Sequence, residues 1–322
     1  MKNSISIMAA TVTAATLALS AAATAPTRSS EKKYQLRHVY HADDRLLLSY
    51  NVVEEKKSSG KVAGDMSAVS KLLISLTVSE GAKPGEKLVR LQFRRIVSEL
   101  KAGELHRAVD SSKPETVPPG MPLDELTKAT FTAATDEAGK IVTFAGVKEF
   151  VEKSKLVPAD AQEKEKQRIE TAVEAGLRQL LQEPFIYFPD KPAGVGESWT
   201  LERKTYGLPI MGALKVHDEE VKCKLAEVKE TKDGRIAVIT IAGESAIAEG
   251  AMPGDAKTLK KTGKVEYNLD KNMLLSHHIE LEGSGVIPMG DGQQMKFSAR
   301  TAIDTAIGRD TEEEPRNGKE RD

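Results

Sequence analysis

The chain contains a single cysteine, Cys223, among 322 residues. An intramolecular disulfide is therefore excluded, and packing alone must stabilise the fold. Aromatic residues make up only 4% of the sequence, so the core has to depend on Leu, Val, Ile and Ala. The same scarcity disfavours a glycosidase cleft lined by aromatic side chains. The 47 basic and 48 acidic residues nearly balance, which gives no indication of nucleic acid or an anionic membrane as a partner.

Motifs that carry chemistry are also lacking: the sequence has no nucleophile elbow, P-loop, Rossmann glycine pattern or His-Glu-x-x-His zinc motif. The residues that could contribute to a metal site are His38, His41, His278 and Glu280. Zinc needs three or four convergent ligands, and the sequence does not indicate that these four converge. We therefore predict no catalytic residue, no cofactor and no metal, in a protein that is not an enzyme. An enzyme without a recognisable motif is an alternative.

The amino-terminal residues have the three parts of a secretory signal peptide. Lys2 supplies the basic start, residues 5–19 carry no charge, and Ala21 and Ala23 fit a small-residue cleavage site. We predict cleavage after Ala23 and a mature protein in the periplasm or outside the cell. A membrane anchor is the alternative, but the apolar stretch is shorter than the roughly 20 residues of a spanning helix. No cysteine lies near the cleavage site to accept a lipid.

Alternation of apolar and polar residues dominates the mature chain and predicts β-strands joined by turns that carry Gly, Asp or Asn. The predicted fold class is α+β, mainly antiparallel β-sheet in two similar halves that form a curved sheet or half-barrel. Cys223 shares parity with Val221 and Leu225, which predicts a buried, unreactive thiol. The main predicted strands are 34–40, 46–52, 74–78, 89–93, 129–133, 141–144, 221–225, 236–241, 265–269, 275–281 and 295–303.

A helical segment separates the two halves. Residues 146–155 predict a short helix, and the apolar stripe within 158–182 predicts a longer one that packs on the sheet. The order of elements matches in the two halves, which suggests an internal duplication, although any antiparallel meander has a similar order. The predicted organisation is a signal peptide (1–23), a β-rich first half (24–145), a helical segment (146–183), a Pro-rich linker with a β-rich second half (184–307) and a disordered charged tail (308–322).

Four predicted loops combine glycine, proline and methionine, and they contain Met121, Met211, Met252 and Met289. Methionine is flexible and polarisable, so such loops can line the mouth of an adaptable apolar site. We treat these four residues as candidate apolar ligand loops. The alternative is that each loop is an ordinary turn that buries one methionine.

The linker after the helical segment carries a more specific pattern. Residues Pro189–Trp199 read Pro-Asp-Lys-Pro-Ala-Gly-Val-Gly-Glu-Ser-Trp, and Asp136–Val142 form an Asp-x-x-Gly hairpin. Together these segments resemble a family of uncharacterised exported bacterial proteins that share a domain of unknown function, with mild departures at residues 193, 194 and 197. The resemblance implies two β-rich halves around a helix-rich stretch, and it implies no activity. We expect Trp199 to anchor the second half rather than to stack on a sugar.

Three hypotheses for the function follow. The first is an exported, non-enzymatic protein that binds an apolar small molecule, a lipid or a partner protein. The second is an envelope protein with a structural or interaction role, and the third is the enzyme without a motif. An apolar pocket of several hundred Å³ beside Met211 or Met289 would favour the first. Filled interiors would favour the second, and a cleft with converging histidines and carboxylates would favour the third.

Overall fold

Antiparallel strands form most of the protein. The computed structural model of the chain describes residues 32–59, 64–157, 161–206, 216–246, 258–288 and 294–310. Strands make up 58% of the structure beside three helices, which confirms the predicted α+β class with a mainly antiparallel sheet. The strands are β1 (Lys33–Tyr34), β2 (Arg45–Ser59), β3 (Gly64–Glu80), β4 (Lys87–Ala102), β5 (Leu105–Asp110), β6 (Phe131–Thr135), β7 (Ile141–Ala145), β8 (Ala193–Gly194), β9 (Ser198–Tyr206), β10 (Val216–Thr231), β11 (Gly234–Ala246), β12 (Thr258–Asn268), β13 (Met273–Pro288) and β14 (Gln294–Arg309).

Twelve of these strands form one open, curved sheet in the order β7-β6-β4-β3-β2-β14-β13-β12-β11-β10-β9, and β5 pairs with β4 beside β6. The first and last long strands meet in its centre, where Val52 of β2 lies opposite Ile303 of β14. From β2 at the centre of the sheet, the chain therefore runs to the β7 edge, crosses to the β9 edge and returns to the centre with β14. A separate two-stranded sheet joins β1 to β8.

The crossing between the two edges contains the predicted helices. Helix α2 (Val147–Ser154) follows Gly146, whose φ of 92° lies in the region that favours glycine, and it confirms the short helix. Helix α3 (Glu163–Gln182) buries Gly176, Leu177, Leu180 and Leu181 and confirms the longer one, although it begins later than predicted. A third helix, α1 (Leu123–Lys128), and a 3-10 turn (Pro114–Thr116) precede β6. No helix within the described ranges has both the length and the apolar character that a bilayer crossing requires.

The two halves of the chain contribute to one continuous core. Leu48 and Ile74 from the first half belong to the same buried cluster as Val221, Cys223 and Ile239 from the second. The pairing of β2 with β14 explains this continuity, because it places the inner faces of both halves on one sheet. The prediction that Cys223 is buried is confirmed. The internal duplication stays a prediction.

The predicted strand at 34–40 is wrong in most of its length. Only Lys33 and Tyr34 form a strand, opposite Gly194 and Ala193. Leu36, His38 and Tyr40 are buried in alternation, as an extended segment requires, but the segment from 35 to 41 belongs to no strand. Alternation of apolar and polar residues indicates an extended backbone with one buried face. It does not indicate whether another strand lies alongside to form the backbone hydrogen bonds of a sheet.

A β-bulge and a strand end change two expectations from the sequence. Alternation along 275–281 predicts that Leu275 shares the buried face with His277 and Ile279. The register between β12 and β13 shifts at Glu266 and Tyr267, so Leu274 takes that place instead. An extra residue in one strand reverses the side-chain parity beyond it. The predicted tail also begins too early, because β14 continues to Arg309, which pairs with Leu46. Residues 311–322 and 1–31 lie outside the described residues.

Candidate functional site

The long central strands are buried at one end and only partly covered at the other. In β2, Leu46, Leu48 and Tyr50 are buried, whereas Val52 and Glu54 are half-buried. Alternate residues of a strand point to the same face, so all five side chains face the helices. The inner face of the sheet is therefore filled up to the level of Tyr50 and is open beyond it.

A cavity of about 640 Å³ occupies this open region between the three helices and strands β2 to β5. Most of the side chains that line it are apolar. On the strand side it is lined by Val52, Ala68, Leu72, Ile96, Leu100 and Val109. On the helix side it is lined by Leu126, Phe150, Ile169, Ala172, Val173 and Leu177.

Two exposed apolar residues mark the mouth of the cavity. Met121 is 44% exposed and Leu156 is 39% exposed, and both line the cavity. At the other end, Leu177 and Leu180 are buried. The cavity thus runs from a mouth near α1 and the end of α2 to a closed apolar end beneath α3.

The strand wall of the cavity also carries three polar side chains. Glu54 is the sole charged residue among the described residues that line it, and its carboxylate lies 3.8 Å from the Lys56 ammonium. The hydroxyl groups of Ser70 and Ser98 lie 3.5 Å apart on neighbouring strands, which is the limit for a hydrogen bond. These groups form a small polar patch on an otherwise apolar wall.

Helix α3, which roofs the cavity, is held to the sheet by two specific hydrogen bonds. The Tyr50 hydroxyl donates to the Leu180 carbonyl at 2.6 Å, which satisfies one of the carbonyls that a helix end leaves without a partner. Burial is the largest cause that raises the pKa of Tyr50 well above its ordinary value, and the nearby Glu183 carboxylate adds to it. Arg178 donates to the Ile141 carbonyl at 3.2 Å, so α3 is also tied to the edge strand β7.

Helix α1, which supplies part of the cavity wall, is not predicted from the sequence. Leu123 and Leu126 of this helix are buried and line the cavity beside Met121. Pro122 precedes the helix, and Asp124 and Glu125 lie in its first turn, which is the usual signature of a helix start. At six residues the helix is too short for hydrophobic periodicity to reveal it.

The inner face of the second half is filled by residues of the linker. The Tyr187 ring stacks on His277 with centroids 5.2 Å apart, and the Lys261 ammonium lies 5.3 Å from the Tyr187 centroid. All three residues are buried. The Trp199 indole donates to the Tyr187 carbonyl at 3.1 Å, in agreement with the prediction that Trp199 anchors this half. This polar cluster joins the linker to the sheet.

His38 is a second buried histidine with an unusual environment. Its ring stacks on Phe185 with centroids 3.8 Å apart and meets Tyr40 edge-on. Neither ring nitrogen has a hydrogen-bond partner among the described residues. Burial, aided by the positive charge that His41 can carry, lowers the pKa of His38 to about 3. The ring is therefore neutral and packs as an aromatic residue.

The four residues considered for a metal site do not come together as one group. His38 lies in the core, whereas half-buried His278 lies on the opposite face of the sheet, where it hydrogen-bonds Asp304 at 2.6 Å and lies 3.6 Å from Glu280. Glu280 also pairs with Arg300. Within the ranges that the structure describes, no three His, Cys, Asp or Glu side chains form a group suited to a metal ion.

The four candidate methionines have different outcomes. Met121 lies at the mouth of the cavity, where an apolar ligand loop is expected. Met211, Met252 and Met289 lie outside the described residues. In an antiparallel sheet, every second connection between strands lies at the same end. The strands that precede these three methionines in sequence end at Tyr206, Ala246 and Pro288, and all three ends lie at the end of the sheet that contains Ser59. A ligand role for the four loops stays a prediction.

The chain matches the model of a known family. The model of a family described as "Family of unknown function (DUF6263)" matches residues 85–305, which is more than half of the chain. The expected membership in a family of unknown function is confirmed. The linker as a family signature and the export of the protein stay predictions.

The solved structures that resemble the chain include two at 8% identity. One is described as "Lipid-protein interactions in lipovitellin" and has a TM-score of 0.45, with 85% of this chain and 26% of that chain covered. This chain thus spans about a quarter of the lipovitellin chain. The other is an outer-membrane channel from Pseudomonas putida F1 with a TM-score of 0.18, with 84% and 98% covered. No curated protein matches the chain. Likenesses at these scores carry no argument about function.

Proposed function

The chain belongs to the family of unknown function DUF6263, and from that premise, which supplies no activity, we propose that the protein binds a small apolar molecule in the cavity beneath α3. The cavity itself is the observation that carries this proposal. Its volume of about 640 Å³ lies within the range of small-molecule sites, and its walls combine many apolar side chains with a few polar ones. The ligand class is an apolar small molecule or lipid.

An unfilled apolar cavity costs stability, which supports a role in binding. Protein interiors are normally packed as densely as organic crystals, and side chains around a void lose dispersion contacts. Here α3 lines the void with the methyl group of Ala172 and the backbone of Gly176. An apolar ligand would restore the missing contacts and remove the remaining apolar surface from water.

The proposal includes export and excludes a reaction. A binding protein with a mouth at Met121 and Leu156 fits the periplasmic or secreted location that the signal peptide predicts. The two rival hypotheses differ in what they need. A purely structural envelope protein has no use for the cavity. An enzyme would need a nucleophile activated by an adjacent base, whereas the two serines among the described lining residues, Ser70 and Ser98, hydrogen-bond each other.

A cavity-filling variant tests the proposal. Ala172→Trp places an indole in the cavity, and Thr171→Trp places the same side chain on the exposed face of α3 as a matched control. The uncharged probe 1-N-phenylnaphthylamine is expected to fluoresce with the wild type and the control. We expect Ala172→Trp to weaken its binding by about tenfold or more.

Native mass spectrometry of protein purified from its own cells gives a second readout. A co-purifying apolar molecule that Ala172→Trp excludes would support the proposal. Equal probe binding by Ala172→Trp and the wild type, with both variants folded by circular dichroism, would show that the cavity is not the binding site.

A further inference from the structure

The chemistry of the cavity wall indicates what kind of head group an apolar ligand carries. Resting on the proposed function, we infer that the ligand is an uncharged amphiphile whose hydroxyl-type head group binds Glu54, Ser70 and Ser98. A carboxylate or phosphate head group is selected against. Three observations lead to this assignment: the sign of the charge in the wall, the hydrogen-bonding capacity of the polar patch and its position in the cavity.

The charge in the wall is negative. Glu54 is the sole charged side chain among the described residues that line the cavity. The cation next to it, Lys56, is half exposed and lies 3.8 Å away, beyond normal hydrogen-bond distance. An exposed ion pair of this kind contributes little and is screened by salt. An anionic head group at this wall would meet the like charge of Glu54, a repulsion that salt also weakens.

The hydrogen-bonding capacity of the patch matches a hydroxyl group. A carboxylate only accepts hydrogen bonds, so Glu54 needs a donor. Two serine hydroxyls have two donors between them, and their mutual bond uses one, which leaves one donor for a ligand oxygen. A hydroxyl group both donates and accepts, and it therefore satisfies both needs. A carboxylate could accept from serine but would leave Glu54 without a donor, and an ammonium group could donate to Glu54 but would leave the serine hydroxyl without an acceptor.

The position of the patch suits a head group near the mouth. Glu54 lies opposite Ala68, and Ser70 lies opposite both Val52 and Ser98, so the three polar residues occupy adjacent cross-strand rows. The next row inward is Tyr50, Leu72 and Ile96, which is buried. Because the polar rows lie on the half-covered side, the ligand enters with its apolar body toward Leu177 and its head group outward.

Ligands with one chain length and different head groups test the inference. Displacement of 1-N-phenylnaphthylamine by 1-dodecanol, dodecanoate and dodecylamine at pH 7.5 compares a hydroxyl, an anion and a cation. We expect dodecanol to displace the probe at a concentration about tenfold lower than dodecanoate. Glu54→Gln should reduce this ratio to about two or less, because the amide carries no charge. Glu55→Gln, on the opposite face of the same strand, is the matched control and should leave the ratio unchanged.

The outcomes separate this inference from the proposed function. If the probe binds and Ala172→Trp weakens it, but dodecanoate or dodecylamine competes as well as dodecanol, the head-group assignment is wrong and the cavity proposal stands. The same holds if Glu54→Gln leaves the ratio of the wild type unchanged. If Ala172→Trp and the wild type bind the probe equally, the cavity proposal itself is wrong.

Discussion

The two halves of the sheet cover their inner faces in different ways. Over the second half, the linker inserts large rings: Tyr187 stacks on His277, and Phe188 packs against Tyr267 with centroids 4.9 Å apart. Over the first half, α3 presents Ala172 and Gly176 to the sheet, and a cavity of about 640 Å³ remains. The strands of both halves alternate in the same manner, so the difference lies in what covers them.

A cavity on a sheet can therefore arise from the segment that covers the sheet, without any difference in the strands. A sheet face with alternating apolar residues becomes solid core when rings of 150–250 Å² lie on it. The same kind of face becomes a binding site when a helix bridges it with small side chains. The filled half is therefore expected to carry stability, and the open half to carry function.

Removing an aromatic ring from the filled half should cause the largest loss in the free energy of unfolding. Tyr187 is fully buried, so Tyr187→Ala is expected to lower the free energy of unfolding by about 3–5 kcal/mol. Val173→Ala, at the half-buried cavity wall, should cost about 1 kcal/mol or less because the space beside it is already empty. Urea unfolding of both variants measures the contrast. Equal losses would mean that the two covers contribute alike.

Removing a hydrogen bond that holds α3 over the open half should cause an intermediate loss in the free energy of unfolding. Tyr50→Phe removes the hydroxyl that donates to the Leu180 carbonyl and leaves that carbonyl buried without this donor. We expect a loss of about 1–3 kcal/mol in the free energy of unfolding and faster amide exchange at the end of α3. Tyr34→Phe, in the short two-stranded sheet, is the control and should change neither measurement appreciably. A neutral Tyr50→Phe would show that the hydrogen bond does not hold the roof.

The effect that is smallest at neutral pH, and grows as pH falls, is that of the histidine beside the linker. The folded pKa of His38, about 3, lies below its ordinary value of 6.5, so the unfolded state takes up a proton first as pH falls. The stability that depends on neutral His38 is complete above pH 6.5 and is lost as pH falls from 6.5 toward 3. The slope approaches but does not exceed about 1.4 kcal/mol per pH unit.

The variant His38→Phe keeps an aromatic ring against Phe185 and removes this proton uptake. Its free energy of unfolding should therefore depend less on pH between 6.5 and 4.5 than that of the wild type. Urea midpoints at matched pH values make the comparison. Parallel curves for the two proteins would place the buried neutral histidine in doubt.

Much of the fold was predictable because it depends on local pattern. The hairpins predicted at 74–93, 129–144, 221–241 and 265–281 have alternating strands and turn residues at fixed offsets, and the structure contains all four, the second with its strands at 131–135 and 141–145. The site was less predictable. Met121 was a candidate from composition, but Leu126, Ser98 and Glu54 come together only through pairing and crossing, and none of them has a local signal for a cavity.

The sequence by itself determined the antiparallel strands, the two central helices and the burial of Cys223, because each follows from periodicity over neighbouring residues. Only the tertiary structure decided that the first and last long strands meet in the centre of one sheet, and that α3 spans the open ends of β2 to β4. The physical reason is that a void is a property of two surfaces. Its existence depends on how far a helix stands from a sheet, and no periodicity along one chain segment encodes that distance.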